Sequence, residues 1–393
     1  MKKSFSKIFT WQPVLTDHQA FTHHELALQS DASMLAYVSR FEDSTRQAQG
    51  WVDTSVMSVP RALIPAASFL RSSLRVLWKN REHVHFFGSV FEDPRLYFLM
   101  WTATLMGITC YLISEPYSPV ALGYFGDRSI VRERVKAKLR PFLYRVYVLT
   151  LRKRICGVFA MSQLAVQQYA EAGMPREKIF PFGYFVPALV PSTEAAQSVR
   201  RSAQLRLVFV GSLISRKGLD TLIEAVYMGV ARGADIQLDI FGPGDPRLFD
   251  IDEKNVCYRG LIPFGQTQQY LPGYDFLVLP SQYDGWGVVV NEALCAGVPA
   301  ICSDQVGARV LVETFGAGKL FARGDATALS ALFVLLAQNS DMQQACKAAC
   351  PAAAEAIQPS RAAAYMLKVM LANIDERSHI KSPWYGGMND QRT

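Results

Sequence analysis

The stretch PSQYDGWGVVVNEALCAGVPAICSD, Pro280 to Asp304, decides the fold. It follows the apolar run FLVLP (276–280) and ends in a second one, PAICSD (299–304). Between them, Gly285 and Gly287 bracket Trp286 at a strand-to-helix junction. The helix that follows runs to about Ala296, with Gly297 as the residue after its end and Pro299 as a stop. Two strands that are apolar on both faces, joined by a helix, belong to a parallel sheet covered on both sides.

Outward from this unit the pattern repeats. LRLVFVG (205–211), a helix over about 218–232, IQLDIFG ending at Gly242, a short strand at NVCYRG and a helix near 266–271 all precede it. The first half reads in the same class, with strands at KIFTW, MLAYVS, HVHFFG and ITCYLIS. ICGVFAMS, the helix VQQYAEAG and KIFPFGYFV add another strand-helix-strand unit. At 393 residues the chain is long enough for two domains. The polar segment PSTEAAQSVRRSAQ (191–204) is the expected linker between a first domain over 1–195 and a second over 204–360. Residues 327–373 are Ala-rich and helical in pattern, and 378–393 read as a loose tail.

Half of the residues are apolar and 19% are charged, which suits a globular enzyme and excludes disorder and collagen. Seven cysteines without a C-x-x-C pair suggest free thiols in a reducing cytoplasm. Lys7 interrupts the apolar start of the chain and no small-residue cleavage site follows, so a secretory signal is not expected. Leu96–Ser114 holds 19 residues without a charge, but its threonines and Gly107 point to a buried helix and a central strand rather than a membrane span. The net charge of +7 is uneven: residues 1–200 carry 24 Lys and Arg against 15 Asp and Glu, the remainder 17 against 19. Between Arg128 and Arg154 ten basic residues stand against Glu133 alone, interleaved with Leu139, Phe142, Leu143, Tyr144 and Val146. That run reads either as a helix lying on an anionic membrane surface or as a solvated helix covering part of the core. No nucleic-acid motif accompanies it, so nucleic acid is not an expected partner.

In an open α/β sheet, ligands bind outside the carboxyl ends of the strands. Three strand ends carry unusual residues. After the first comes Gly211, Ser212 and then Arg216 and Lys217 just before a helix, an arrangement that favours an anion. After the second, Gly242 and Gly244 allow a close backbone approach. After the third, the first-turn amides near Val288 and Val289 lack helical partners and would receive a diphosphate. Glu292 lies five residues beyond Gly287, roughly 7.5 Å along the helix, a spacing that suits a carboxylate gripping a ribose diol. Asp284 stands before the glycine-rich turn, where a sugar would sit.

From Leu205 to Leu335 the chain resembles the donor domain of family 4 glycosyltransferases, which have the GT-B architecture of two Rossmann-like domains facing a central cleft. The resemblance rests on five pieces in order: strand-G…RKGLDTLIEA, FGPGDP, YRGLIP, YDFLVLPSQYDGWG and NEALCAGVPAICSD. The acid-x7-acid motif falls on Asp284 and Glu292. The resemblance implies that Glu292 binds the ribose, Asp284 the hydroxyls of the transferred sugar, and Lys217 with Arg216 the diphosphate. The backbone around Gly260, Leu261 and Ile262 would hold the base. This chain departs from the pattern in having Asp284 where the family has Glu, and Ser212 where it often has Arg. In the first domain Ser114 and Glu115 stand where family members often carry His, which leaves His18, His85 and Glu115 as acceptor-side candidates. By analogy with the fold, a helix over 361–376 should cross back to the first domain.

The implied reaction is a transfer from a UDP- or GDP-linked sugar to an acceptor hydroxyl with retention at the anomeric carbon, in bacterial cell-surface polysaccharide or glycolipid assembly. Neither a cofactor nor a metal ion is expected, because the cations and helix amides can take a divalent ion's place. The expected partners are the nucleotide-sugar and a lipid-linked sugar acceptor, and the expected location is the cytoplasmic face of the cell membrane, held peripherally. The alternative is a non-catalytic GT-B protein that binds a sugar nucleotide or serves as a membrane scaffold. A dehydrogenase would need G-x-G-x-x-G after its first strand, and no strand end read here has it.

Overall fold

The computed structural model describes residues 5–42, 58–88, 90, 93–118, 130–189 and 204–385. The expected linker at 191–204, except for Gln204, lies outside them. The chain forms two compact units, the first made of Met1–Tyr117, Lys138–Phe185 and Pro359–Pro383, the second centred on Val186–Gln358.

In the first unit the strands are β1 (Lys7–Gln12), β2 (Ser33–Val38), β3 (Arg61–Leu63), β4 (Val84–Gly88), β5 (Thr109–Ser114), β6 (Gly157–Met161) and β7 (Ile179–Phe182). They form one sheet in the order β3-β2-β1-β4-β5-β6-β7, with every pairing parallel. Helix α1 (Asp17–Ser30) follows β1, and α2 (Ile130–Leu151) leads towards β6. The chargeless stretch at 96–114 resolves into a helix, Pro94–Leu105, a left-handed turn at Gly107 with φ 74°, and β5. No helix among the described residues is long and apolar enough to cross a membrane.

In the second unit β8 (Leu205–Val210), β9 (Ile236–Phe241), β10 (Val256–Gly260), β11 (Phe276–Leu279), β12 (Ala300–Ser303) and β13 (Gly318–Phe321) form a parallel sheet in the order β10-β9-β8-β11-β12-β13. Helices α3 (Leu219–Ala231) and α4 (Val288–Cys295) follow β8 and β11. Those two strands are neighbours, with Leu277 opposite Val208, and the winding direction reverses between them. Such a switch point leaves the loops at the two carboxyl ends diverging, which opens a crevice for a ligand.

The C-terminal helix α5 (Pro359–Leu371) belongs to the first unit, where it packs against α1 and buries Ala362, Met366 and Val369. The expected loose tail is anchored at Trp384, which is fully buried and whose carbonyl accepts a bond from the Thr314 hydroxyl at 3.2 Å. An indole removes enough apolar surface from water to hold a chain end that composition marks as loose.

Candidate functional site

At the β8/β11 switch point the loops beyond the strand ends are held by close backbone packing. Beyond β8, the Gly211 amide bonds the Phe241 carbonyl at 3.0 Å and the Leu213 amide bonds the Pro243 carbonyl at 2.8 Å. Gly242 and Gly244 take φ of 144° and 139°, and a Cβ on either would drive into Gly211 or Leu213. The backbone approach expected at these glycines is therefore made first of all by the neighbouring loop. A tight turn, Ser215–Lys217, follows and ends at Gly218, whose φ of 68° and missing Cβ let it press on the Pro280 carbonyl.

That turn sets Lys217 against Asp284, Nζ to Oδ2 at 2.6 Å, with side chains 16% and 13% exposed. Asp284 is fixed through its backbone, its amide donating to the Gln305 carbonyl and its carbonyl accepting from the Gly307 amide, both at 3.0 Å. Burial pushes the Asp284 carboxyl up, but the charges of Lys217 and Arg216, the Lys217 hydrogen bond and the Trp286 amide outweigh it and hold the group below the usual carboxylate range. Arg216, expected at the diphosphate, is buried, and its Nη1 donates to the Tyr283 carbonyl at 2.9 Å. Its guanidinium acts from beneath the site, holding the loop and adding positive potential at Asp284.

Trp286 is 2% exposed and donates from Nε1 to Asn291 Oδ1 at 2.8 Å, which latches the loop to α4. Gly285 is buried beside it. Gly287 caps α4 with φ 92°, no side chain caps that helix start, and Val288 and Val289 are half-buried there. Glu292, further along α4, is half-buried, and burial pushes its carboxyl up to about 7 despite a hydrogen bond with Thr267 that lowers it. Thr267 did not stand out in sequence, because its partner lies 25 positions away and nothing local marks the pair. At the end of β10, Gly260 has φ 86° with open space where a Cβ would sit, and Leu261 is 58% exposed, with Ser212 and Ile262 half-buried.

The acceptor-side candidates lie in the first unit and differ in kind. His85 is fully buried in β4: Trp11 Nε1 donates to its Nδ1 at 3.0 Å, so its Nε2 donates to the Asn80 carbonyl at 3.1 Å. Burial above all, with His83 adding and the Asn80 bond opposing, lowers its pKa to about 4, and a neutral ring with both nitrogens engaged is structural rather than a ligand contact. His18, near the start of α1, is half-buried with its ring edge-on to Tyr184 at 4.4 Å between centroids. The Tyr184 hydroxyl in turn donates to the Glu115 carboxylate. The structure thus joins His18, Tyr184 and Glu115 and removes His85 from the group. Among the described residues, no three His, Cys, Asp or Glu side chains form a group that could hold a metal ion.

Residues 204–339 match the family of glycosyl transferases group 1. Over 148 residues, 34% of this chain, the sequence is 32% identical to the amylovoran biosynthesis glycosyltransferase AmsK of Erwinia amylovora. Over 219 residues, 50% of this chain, it is 28% identical to a GDP-mannose-dependent monoacylated alpha-(1-6)-phosphatidylinositol monomannoside mannosyltransferase of Corynebacterium glutamicum. The matched parts span 36% and 56% of those two relatives. The fold is that of the Anabaena protein Alr3699/HepE, solved in complex with UDP, at a TM-score of 0.69 and 14% identity over 93% of this chain and 99% of that one. The arrangement is the GT-B fold, with a Rossmann-like domain in each unit.

Proposed function

We propose that this chain, with its glycosyl transferases group 1 domain, is a retaining glycosyltransferase of family 4 that moves a sugar from a UDP- or GDP-linked donor to the hydroxyl of a lipid-linked acceptor. The observation that carries the reading is the Lys217–Asp284 pair at 2.6 Å, set at the switch point beside a helix start that no side chain caps. An ammonium has three donors, so Lys217 can bind a diphosphate while the first-turn amides of α4 bind it from the other side. The arriving diphosphate competes with Asp284 for Lys217, and the released carboxylate turns to the sugar hydroxyls. Glu292, further along the same helix, accepts from the ribose diol.

The acceptor hydroxyl attacks from the face the nucleotide leaves, and its proton passes to the departing phosphate oxygen, so no protein base is required. What the protein supplies is position and a fixed positive field for the charge that develops on the diphosphate. No metal or cofactor takes part in this scheme. Two observations favour a lipid-linked acceptor and peripheral work at the cytoplasmic face of a membrane. The C. glutamicum relative is named for a phosphatidylinositol monomannoside acceptor, and the basic run in the sequence from Arg128 to Arg154 suits an anionic surface.

The test is a nucleotide-release screen over UDP- and GDP-sugars, with and without extracted polyprenyl-linked lipid, followed by the anomeric configuration of the product. Release that depends on one donor and rises with lipid is expected. Tight nucleotide binding with no release from any donor would make the protein a scaffold.

A further inference from the structure

Helix α2, whose residues from Lys138 onward belong to the first unit, turns one face to the core and the opposite face outward. Tyr144, Tyr147, Val148 and Leu151 are buried, whereas Leu139, Phe142, Val146 and Leu149 are 50%, 65%, 46% and 45% exposed. Steps of three, four and three residues place those four on a single line along the helix, opposite the buried line. An apolar stripe on the solvent side of a helix is not the scatter of single exposed hydrophobics that every surface shows. Lys138 and Arg145, seven positions apart and both exposed, run along one flank of the stripe, and the exposed Lys153 and Arg154 follow the helix.

The 3-4-3 spacing would also serve a two-helix seam with a second copy, and charge decides against it. In a parallel pair Lys138 and Arg145 would stand beside Leu143 and Thr150, and in an antiparallel pair beside each other. Neither arrangement offers an acid. A surface of anionic lipid offers acids along the whole flank and an apolar layer beneath them.

We infer that α2 is a membrane-docking element, lying in the plane of an anionic bilayer with Leu139, Phe142, Val146 and Leu149 in the headgroup–acyl boundary and Lys138 and Arg145 on lipid phosphates. The inference deepens the membrane part of the function proposed above by naming the face that makes the contact.

Flotation with vesicles of equal parts phosphatidylglycerol and phosphatidylcholine tests it, with UDP and GDP binding measured on the same preparations. The wild type should float at low salt, and far less on phosphatidylcholine alone. F142D/V146D should lose more than tenfold in vesicle affinity, and K138A and R145A roughly fivefold each. All these positions are exposed, so melting temperature and nucleotide binding should not change. If a variant melts early, the milder Leu139→Ser replaces it and should still weaken flotation. Unchanged flotation by F142D/V146D, or a wild type that ignores anionic vesicles, overturns the docking face, as does a wild-type dimer in sedimentation that F142D converts to monomer. Those outcomes leave nucleotide release untouched, whereas loss of nucleotide binding in the wild type strikes the transferase reading alone.

Discussion

Burial acts on both Asp284 and Glu292, yet it leaves their carboxyls on opposite sides of the ordinary range, because Asp284 has Lys217 and Arg216 beside it and Glu292 has a threonine hydroxyl. If ionised Glu292 accepts from the ribose diol, donor affinity should rise by about tenfold between pH 6 and pH 8 as the group titrates through about 7. Glu292→Gln should flatten that dependence and weaken donor binding by ~1.5–3 kcal/mol at the upper pH. Calorimetric titration at both pH values reads the two effects, and a sugar nucleotide is the right probe because its diesterified diphosphate does not titrate there. The eight-residue spacing of these acids was legible in sequence, as was the cation before α3. What was not legible is which way each side chain turns. Arg216 and Lys217 are adjacent and alike in charge, but one is drawn under the loop to the Tyr283 carbonyl and the other reaches Asp284.

Among the elements, the glycine turns carry the sharpest consequences. Gly242→Ala would force a Cβ into the Gly211 carbonyl at φ 144°, whereas Gly260→Ala, at φ 86° with open space around it, meets only the intrinsic penalty of the left-handed region. The second substitution should destabilise the second unit by about 1–2 kcal/mol and the first by clearly more, about 3 kcal/mol or beyond. Urea unfolding of the two variants gives the comparison, and equal losses would mean that the loop at Gly211 yields to the added methyl. The central strands were legible in sequence because burial on both faces makes them continuous apolar runs. The two strands that did not stand out, β3 and β13, lie at the sheet edges and contain Arg61 and Lys319. Three or four residues that include a cation and no β-branched side chain do not separate a strand from a loop.

For the whole molecule, the two units should answer mild acid in opposite senses. All six histidines, at 18, 23, 24, 83, 85 and 379, fall in the first unit. His23, by burial alone, and His85 both have pKa values lowered to about 4. Unfolding lets each take up a proton near its ordinary pKa, so lowering the pH from 7 to 5 should remove about 2 kcal/mol per histidine from the first unit. For the two histidines together, about 4 kcal/mol, that corresponds to a fall of about 10 °C in its melting transition. Glu292 works the other way, since its raised carboxyl is protonated in the fold and ionised when unfolded, so the same acidification steadies the second unit. Scanning calorimetry at pH 7 and pH 5 should separate two transitions, and parallel shifts would refute the assignment. The return of α5 gives a second asymmetry. Gln29 donates to the Ser360 carbonyl at 2.9 Å, and the buried Arg377 donates to the Cys156 carbonyl at 2.9 Å and the Tyr111 hydroxyl at 3.2 Å. Placing Asp at the buried α5 positions Met366 and Val369 should keep nucleotide binding but cost the first unit its cooperative transition and protease resistance. Domains ordinarily fold in the order in which the ribosome delivers them. Here the strands made first must wait, with the outer face of α1 uncovered, until α5 has left the ribosome, so the order of completion runs against the order of synthesis.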